Sequence, residues 1–142
     1  MNKILVAVDG SEHAASAAAW ASKLANQTQG SVTLLFVYEM TGTEAMGLVG
    51  QSAEEIEEIK ERRAAEAFEK TVGAMDEQGA GADTVIVVGD PADAIIEQAK
   101  SGGHDHIVMG SRGLSPVEEL LLGSVSEKVS REAHCPVTIV RG

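Results

Sequence analysis

The sequence predicts an α/β domain with a doubly wound, flavodoxin-like parallel sheet. Five strands stand in the relative order 3-2-1-4-5. Three observations carry the parallel α/β class; the order is the flavodoxin-like choice. Short apolar runs alternate with helical stretches through the whole chain. Most of those runs are continuously apolar, which marks parallel strands covered on both faces. The alternation itself demands crossover connections, and these are right-handed.

The elements follow in order. The strands are Lys3 to Val8 (KILVAV), Ser31 to Tyr38 (SVTLLFVY), Asp83 to Val88 (DTVIVV), His106 to Gly110 (HIVMG) and Pro136 to Val140 (PVTIV). The first helix, Ser11 to Gln29, carries an alanine-rich stripe with Trp20 and Leu24. The second, Gln51 to Gln78, sets Ile56, Ile59, Ala67, Phe68, Val72 and Met75 on one face opposite a glutamate-rich one. Pro91 to Lys100 forms the third. Asp90 is suited to cap it, Pro91 to its first turn, and Gly102-Gly103 to its end. Ser124 to Ala133 is the fourth. Glu39 to Gly50, with three glycines and no period, reads either as a mobile lid or as a long loose connection.

The chain has 142 residues, the size of one domain, and residues 1–142 are read as a single unit. Aromatic residues are 3%, so Ala, Val, Ile and Leu must build the core. The net charge of −11 repels phosphate polymers and anionic lipid, which argues against nucleic-acid and membrane partners. The acidity also suits a salt-rich cytoplasm. It leaves room for a nucleotide, because a local ring of backbone amides outweighs a screened global field. Cys135 is the only cysteine, so no intrachain disulfide forms, and a cytoplasmic location is expected. Neither a signal peptide nor a membrane span is expected.

In open parallel sheets ligands sit beyond the carboxyl ends of the strands where the strand order reverses. Strands 1 and 4 flank that point. The stretch Met109 to Ser126, MGSRGLSPVEELLLGSVS, follows strand 4. Gly110, Gly113 and Gly123 let backbone approach a ligand without a Cβ in the way. The N–H groups and dipole at the start of the last helix favour an anion. Ser124 and Ser126 add hydroxyls and Arg112 a fixed positive charge. These are the parts a triphosphate needs. Asp9, directly after strand 1, reads as an acceptor for ribose hydroxyls, or as a cap of the first helix with Ser11. No G-x-x-x-x-G-K-[ST] and no G-x-G-x-x-G occurs, so a P-loop ATPase and a dinucleotide dehydrogenase are both disfavoured.

The spacing Gly110-x2-Gly113-x9-Gly123-Ser124 resembles the nucleotide signature of the universal stress protein A family. The opening ILVAVDGSE, the GDPADAI stretch and the closing CPVTIVR resemble that family too. The resemblance spans essentially the whole chain. It implies a flavodoxin-like fold, a homodimer, stress-linked cytoplasmic roles and, because the glycine pattern is complete, membership of the ATP-binding subgroup. Carried onto this chain, it implies that Asp9 meets the ribose beside Ala7 and Val8, and that Val37 meets adenine through its backbone. Met109 and Gly110 would line the sugar and α-phosphate. Arg112, Gly113, Gly123, Ser124, Val125 and Ser126 would hold phosphates. Position 7 is alanine where the pattern often carries a proline.

The functional expectation is a nucleotide-responsive stress or signalling module that binds ATP, or another adenine nucleotide, with Mg²⁺ on the phosphates and slow or no hydrolysis. Its alternatives are an enzyme of phosphoryl or adenylyl transfer at the same site, and a dimeric chaperone-like scaffold. Which holds, and whether any catalysis occurs, the residues leave open. His104-Asp105-His106 points to alternate faces, so no metal site is expected there. His13 and His134 read as single helix residues, and Cys135 as a small buried group. The last strand should form a sheet edge, where Val137 to Val140 would pair antiparallel with a second copy.

Overall fold

A computed structural model describes residues 2–39, 50, 52–76, 81–111 and 122–141. Its elements run β1 (Lys3–Val8), α1 (Glu12–Thr28), β2 (Ser31–Tyr38), α2 (Ala53–Val72), β3 (Asp83–Val88), α3 (Pro91–Ser101), β4 (His106–Gly110), α4 (Ser124–Glu132) and β5 (Val137–Val140). The five strands form one parallel sheet, as the alternation predicts, in the flavodoxin-like order β3-β2-β1-β4-β5. β1 sits in the middle, with β2 on one side and β4 on the other. The reversal of strand order therefore falls between β1 and β4.

Side chains leave successive strand positions on opposite faces, and the sheet consequently has two cores. Ile4, Val6, Val8, Val32, Leu34, Phe36, Tyr38 and Val108 pack under α1 and α2. Leu5, Leu35, Ile107 and Met109 pack under α3 and α4. On α1 the buried stripe is Ala14, Ala17, Ala18, Ala21 and Ala25. Such small side chains bring the helix backbone close to the sheet, which suits a core poor in aromatics.

Local signals explain the helix starts. Ser11 caps α1 by accepting from the Ala14 N–H at 3.1 Å. Ser52 and Glu55 close a capping box on α2. Asp90 caps α3 by accepting from the Asp93 N–H at 3.0 Å, with Pro91 in the first turn. The expected apolar face of α2 is the one that packs, with Ala67 buried and Phe68 edge-on to Phe36 at 6.4 Å. The helix is shorter than its period suggests and ends at a Gly73 cap. Met75 still packs on the core from beyond that end.

Candidate functional site

A cavity of about 300 Å³ opens at the carboxyl ends of the strands. That is the lower end of the roughly 300–1,000 Å³ usual for small-molecule sites. Ala7, Val8 and Asp9 reach it from β1, Val37 from β2, Met109 and Gly110 from β4, and Val125 and Ser126 from α4. All eight were singled out in the sequence. Ala7 and Val37 contribute apolar surface on the α3 and α4 side of the sheet. Asp9 stands at the rim. The cavity thus joins an apolar wall to a carboxylate and to a helix start, at the reversal of strand order.

Five further lining residues were not anticipated: Ala14, Leu35, Glu39, Pro91 and Ile95. Leu35 lies two residues before Val37, on the same face of β2, so strand periodicity was a signal for it. Pro91 and Ile95 enter because α3 begins where β3 ends, at the same sheet edge. Glu39 follows β2 directly, as Asp9 follows β1.

Asp9 is held in place. Its Oδ1 accepts from the Ser11 N–H at 2.9 Å, which leaves Oδ2 for another donor. The cap of α1 is Ser11, not Asp9. The turn is completed by Gly10, at φ +86°, a conformation that L side chains rarely adopt.

At α4 the first turn lacks a side-chain cap. The first bond of the turn runs from the Glu127 N–H to the Gly123 carbonyl at 3.0 Å. The N–H groups of Ser124, Val125 and Ser126 precede it and have no intrahelical acceptor. Two of the groups expected to meet phosphate are already engaged. The Ser126 hydroxyl donates to the Gly110 carbonyl at 2.8 Å, in a buried position. The Gly123 N–H donates to the Ser111 carbonyl at 2.8 Å. Both bonds fasten the start of α4 to the end of β4. Ser126 therefore positions the amides; its hydroxyl proton is not free for a ligand.

Gly110 also has a packing reason. A Cβ there would lie 2.7 Å from the His13 Cβ and 2.8 Å from the His13 carbonyl carbon. The missing side chain admits α1 against β4, and Gly110 lines the cavity with its backbone. Arg112 and Gly113 lie outside the described residues, as do residues 40–49 of the expected lid and most of the 115–122 segment.

Of the remaining candidates, His104, His106 and Cys135 take packing roles. His104 is buried, 3% exposed, and burial is the main cause that lowers its pKa, followed by the Lys3 ammonium. His106 shares a 2.7 Å hydrogen bond with Thr138 Oγ1, meets Trp20 edge-on, and has its pKa lowered by burial. His134 lies past the end of α4 and not within it, where the chain turns towards β5. Cys135 packs against the α3–α4 core, and burial raises its pKa, so the neutral thiol is favoured. Among the described residues, no three His, Cys, Asp or Glu side chains gather as metal ligands. Among them, too, no helix is long and apolar enough to cross a membrane.

The universal stress protein family model matches residues 1–141. The universal stress protein YxiE of Bacillus subtilis is 39% identical over 146 aligned positions, covering 99% of each chain. Protein MJ0577 of Methanocaldococcus jannaschii has a solved structure that superposes with a TM-score of 0.76 at 31% identity, covering 99% of this chain and 96% of that one. A universal stress protein from Archaeoglobus fulgidus, solved in complex with dAMP, superposes with a TM-score of 0.66 at 25% identity, covering 98% and 97%.

Proposed function

Because the chain belongs to the universal stress protein family, we propose that it is an ATP-binding member, a nucleotide-responsive module with slow or no hydrolysis. The observation that carries this reading is the single cavity wall shared by Ala7, Asp9, Val37, Met109, Gly110 and Val125 at the reversal of strand order. Adenine packs on Ala7, Leu35, Val37 and Ile95. The ribose hydroxyls donate to the open oxygen of Asp9. The phosphates turn towards the free N–H groups of Ser124, Val125 and Ser126, with Arg112 and Gly113 completing that end. Mg²⁺ would be held by the phosphates and waters, as suits an oxygen-seeking ion where the described residues offer no carboxylate cage. The Archaeoglobus relative, solved with dAMP, supports an adenine nucleotide as the ligand class.

The module works in the cytoplasm as a homodimer. β5 is the outer strand beside β4, and its four residues, Val137 to Val140, are half-buried. An outer strand offers unpaired backbone groups to a second copy. Light scattering that returns a monomer at micromolar concentration would count against this pairing.

Calorimetric titration with ATP, with and without Mg²⁺, tests the ligand. Saturable binding that Asp9→Ala weakens at least about tenfold, or about 1.4 kcal/mol, is expected. No heat from ATP, ADP or AMP would reject the reading. Rapid single-turnover conversion of labelled ATP with an acceptor would favour phosphoryl or adenylyl transfer instead.

A further inference from the structure

A second cavity, of about 530 Å³, lies on the opposite side of the sheet, between α2 and the turn after β1. Asp9, Val37 and Glu39 form a ridge that it shares with the first cavity. Its floor is Phe36, Tyr38 and Ala67. Its outer wall is Arg63, Glu66 and Lys70. These positions recur with Ala67 at helical spacing, so α2 turns one charged stripe towards the cleft.

The charges are unusual for this chain, which has twice as many acidic residues as Lys and Arg, 22 against 11. Among the described residues neither Arg63 nor Lys70 pairs with a carboxylate, whereas Lys60, Lys128 and Arg131 do. The Arg63 guanidinium instead lies 5.7 Å from the centre of the Tyr38 ring. That distance is within cation–π range, so the guanidinium lies by the aromatic part of the cleft. Its planar fork is matched to a carboxylate, which it can bind through two parallel hydrogen bonds.

The lining therefore carries two cations, Arg63 and Lys70, and three carboxylates, Asp9, Glu39 and Glu66. A simple anion would meet three like charges. A simple cation would leave Arg63 and Lys70 unneutralised. We infer that this cleft is a second ligand site, for a small zwitterion of the amino-acid type with an apolar side chain. Its carboxylate pairs with Arg63 and Lys70, its ammonium with Glu39 and Glu66, and its side chain rests on Phe36, Tyr38 and Ala67. The inference does not depend on nucleotide binding, because Arg63, Glu66 and Lys70 do not line the first cavity.

The test is a two-dimensional amide NMR titration of the full chain, without nucleotide. L-phenylalanine is the probe, beside 3-phenylpropanoate, which lacks the ammonium, and phenethylamine, which lacks the carboxylate. L-phenylalanine should shift the Gly10, Tyr38 and Ala67 amides saturably. Each half-molecule should bind at least about tenfold more weakly, and Arg63→Ala should weaken L-phenylalanine by a similar factor. Arg63 is exposed, so its removal leaves the core intact. Lys70→Ala provides a second variant with the same expectation. Any of four results would overturn the inference: no saturation, equal affinity for a half-molecule, unchanged affinity in both variants, or shifts confined to Ala7, Met109 and Val125.

Discussion

Gly110→Ala separates two reasons for having a glycine at the end of β4. The added Cβ meets three His13 atoms at 2.7, 2.8 and 2.9 Å, and two of them are backbone. Contacts under about 3 Å force movement, and α1 backbone cannot swing aside as a flexible side-chain end would. Overpacking of this kind costs about 1–3 kcal/mol. The loss of unfolded-state freedom on replacing glycine offsets about 0.4–1 kcal/mol of that. Gly110 is not among the positive-φ residues, so no backbone strain is added. The net expectation is destabilisation centred at about 1.3 kcal/mol, within a span of about 0–2.6 kcal/mol. At this chain length each kcal/mol lowers Tm by roughly 2–4 °C. Urea unfolding gives the free energy directly, with the midpoint falling and the slope unchanged. A variant as stable as the parent, but unable to bind nucleotide, would show that the glycine serves the ligand and not the seating of α1.

Ser126→Ala should remove about 1 kcal/mol of stability with its hydrogen bond to Gly110. It should also weaken nucleotide binding by loosening the α4 amides; an affinity equal to the parent's in calorimetry would deny Ser126 a positioning role. Gly123→Val should leave the fold intact, because φ −64° and ψ 157° at this position admit any residue. Its branched Cβ at the mouth of α4 should lower ATP affinity at least about tenfold, and an unchanged Kd would reject the phosphate end of the site. Acid should destabilise the protein before its carboxylates titrate. His104 and His106 have folded pKa values below the unfolded value, so below about 6.5 the unfolded chain takes up protons that the folded chain refuses. Stability is full above that pH and falls as pH drops towards the folded values. Urea midpoints that stay flat between about pH 7.5 and 5.5 would contradict this.

The parallel sheet was legible because both faces are covered, which writes continuous apolar runs into β1 and β2 and leaves the alternation unambiguous; the order of the strands is not written in that pattern and rested on the flavodoxin-like arrangement. The end of α2 was less legible. Met75 keeps the helical spacing and still reaches the core, so the period runs past the Gly73 cap. At the site, Asp9 could be read because the ends of parallel strands are the ligand edge, whereas Val37 came from the family resemblance. Leu35 could have been found from its two-residue spacing to Val37, but Ile95 could not, since an apolar residue that lines a cavity looks like one that fills a core. The packing roles of Ser126 and Gly110 were not legible. Spacing brings a serine and a glycine to a loop, but only coordinates show the hydroxyl bonded to Gly110 and the missing Cβ facing His13.

The most direct test of the central claim is a titration with Mg-ATP followed by amide NMR of the assigned protein. Saturable shifts at Asp9, Val37, Gly110, Val125 and Ser126, with β3 and the far end of α1 unmoved, are the expected result. Shifts confined to residues remote from the α3–α4 cavity, or none at millimolar nucleotide, would contradict it.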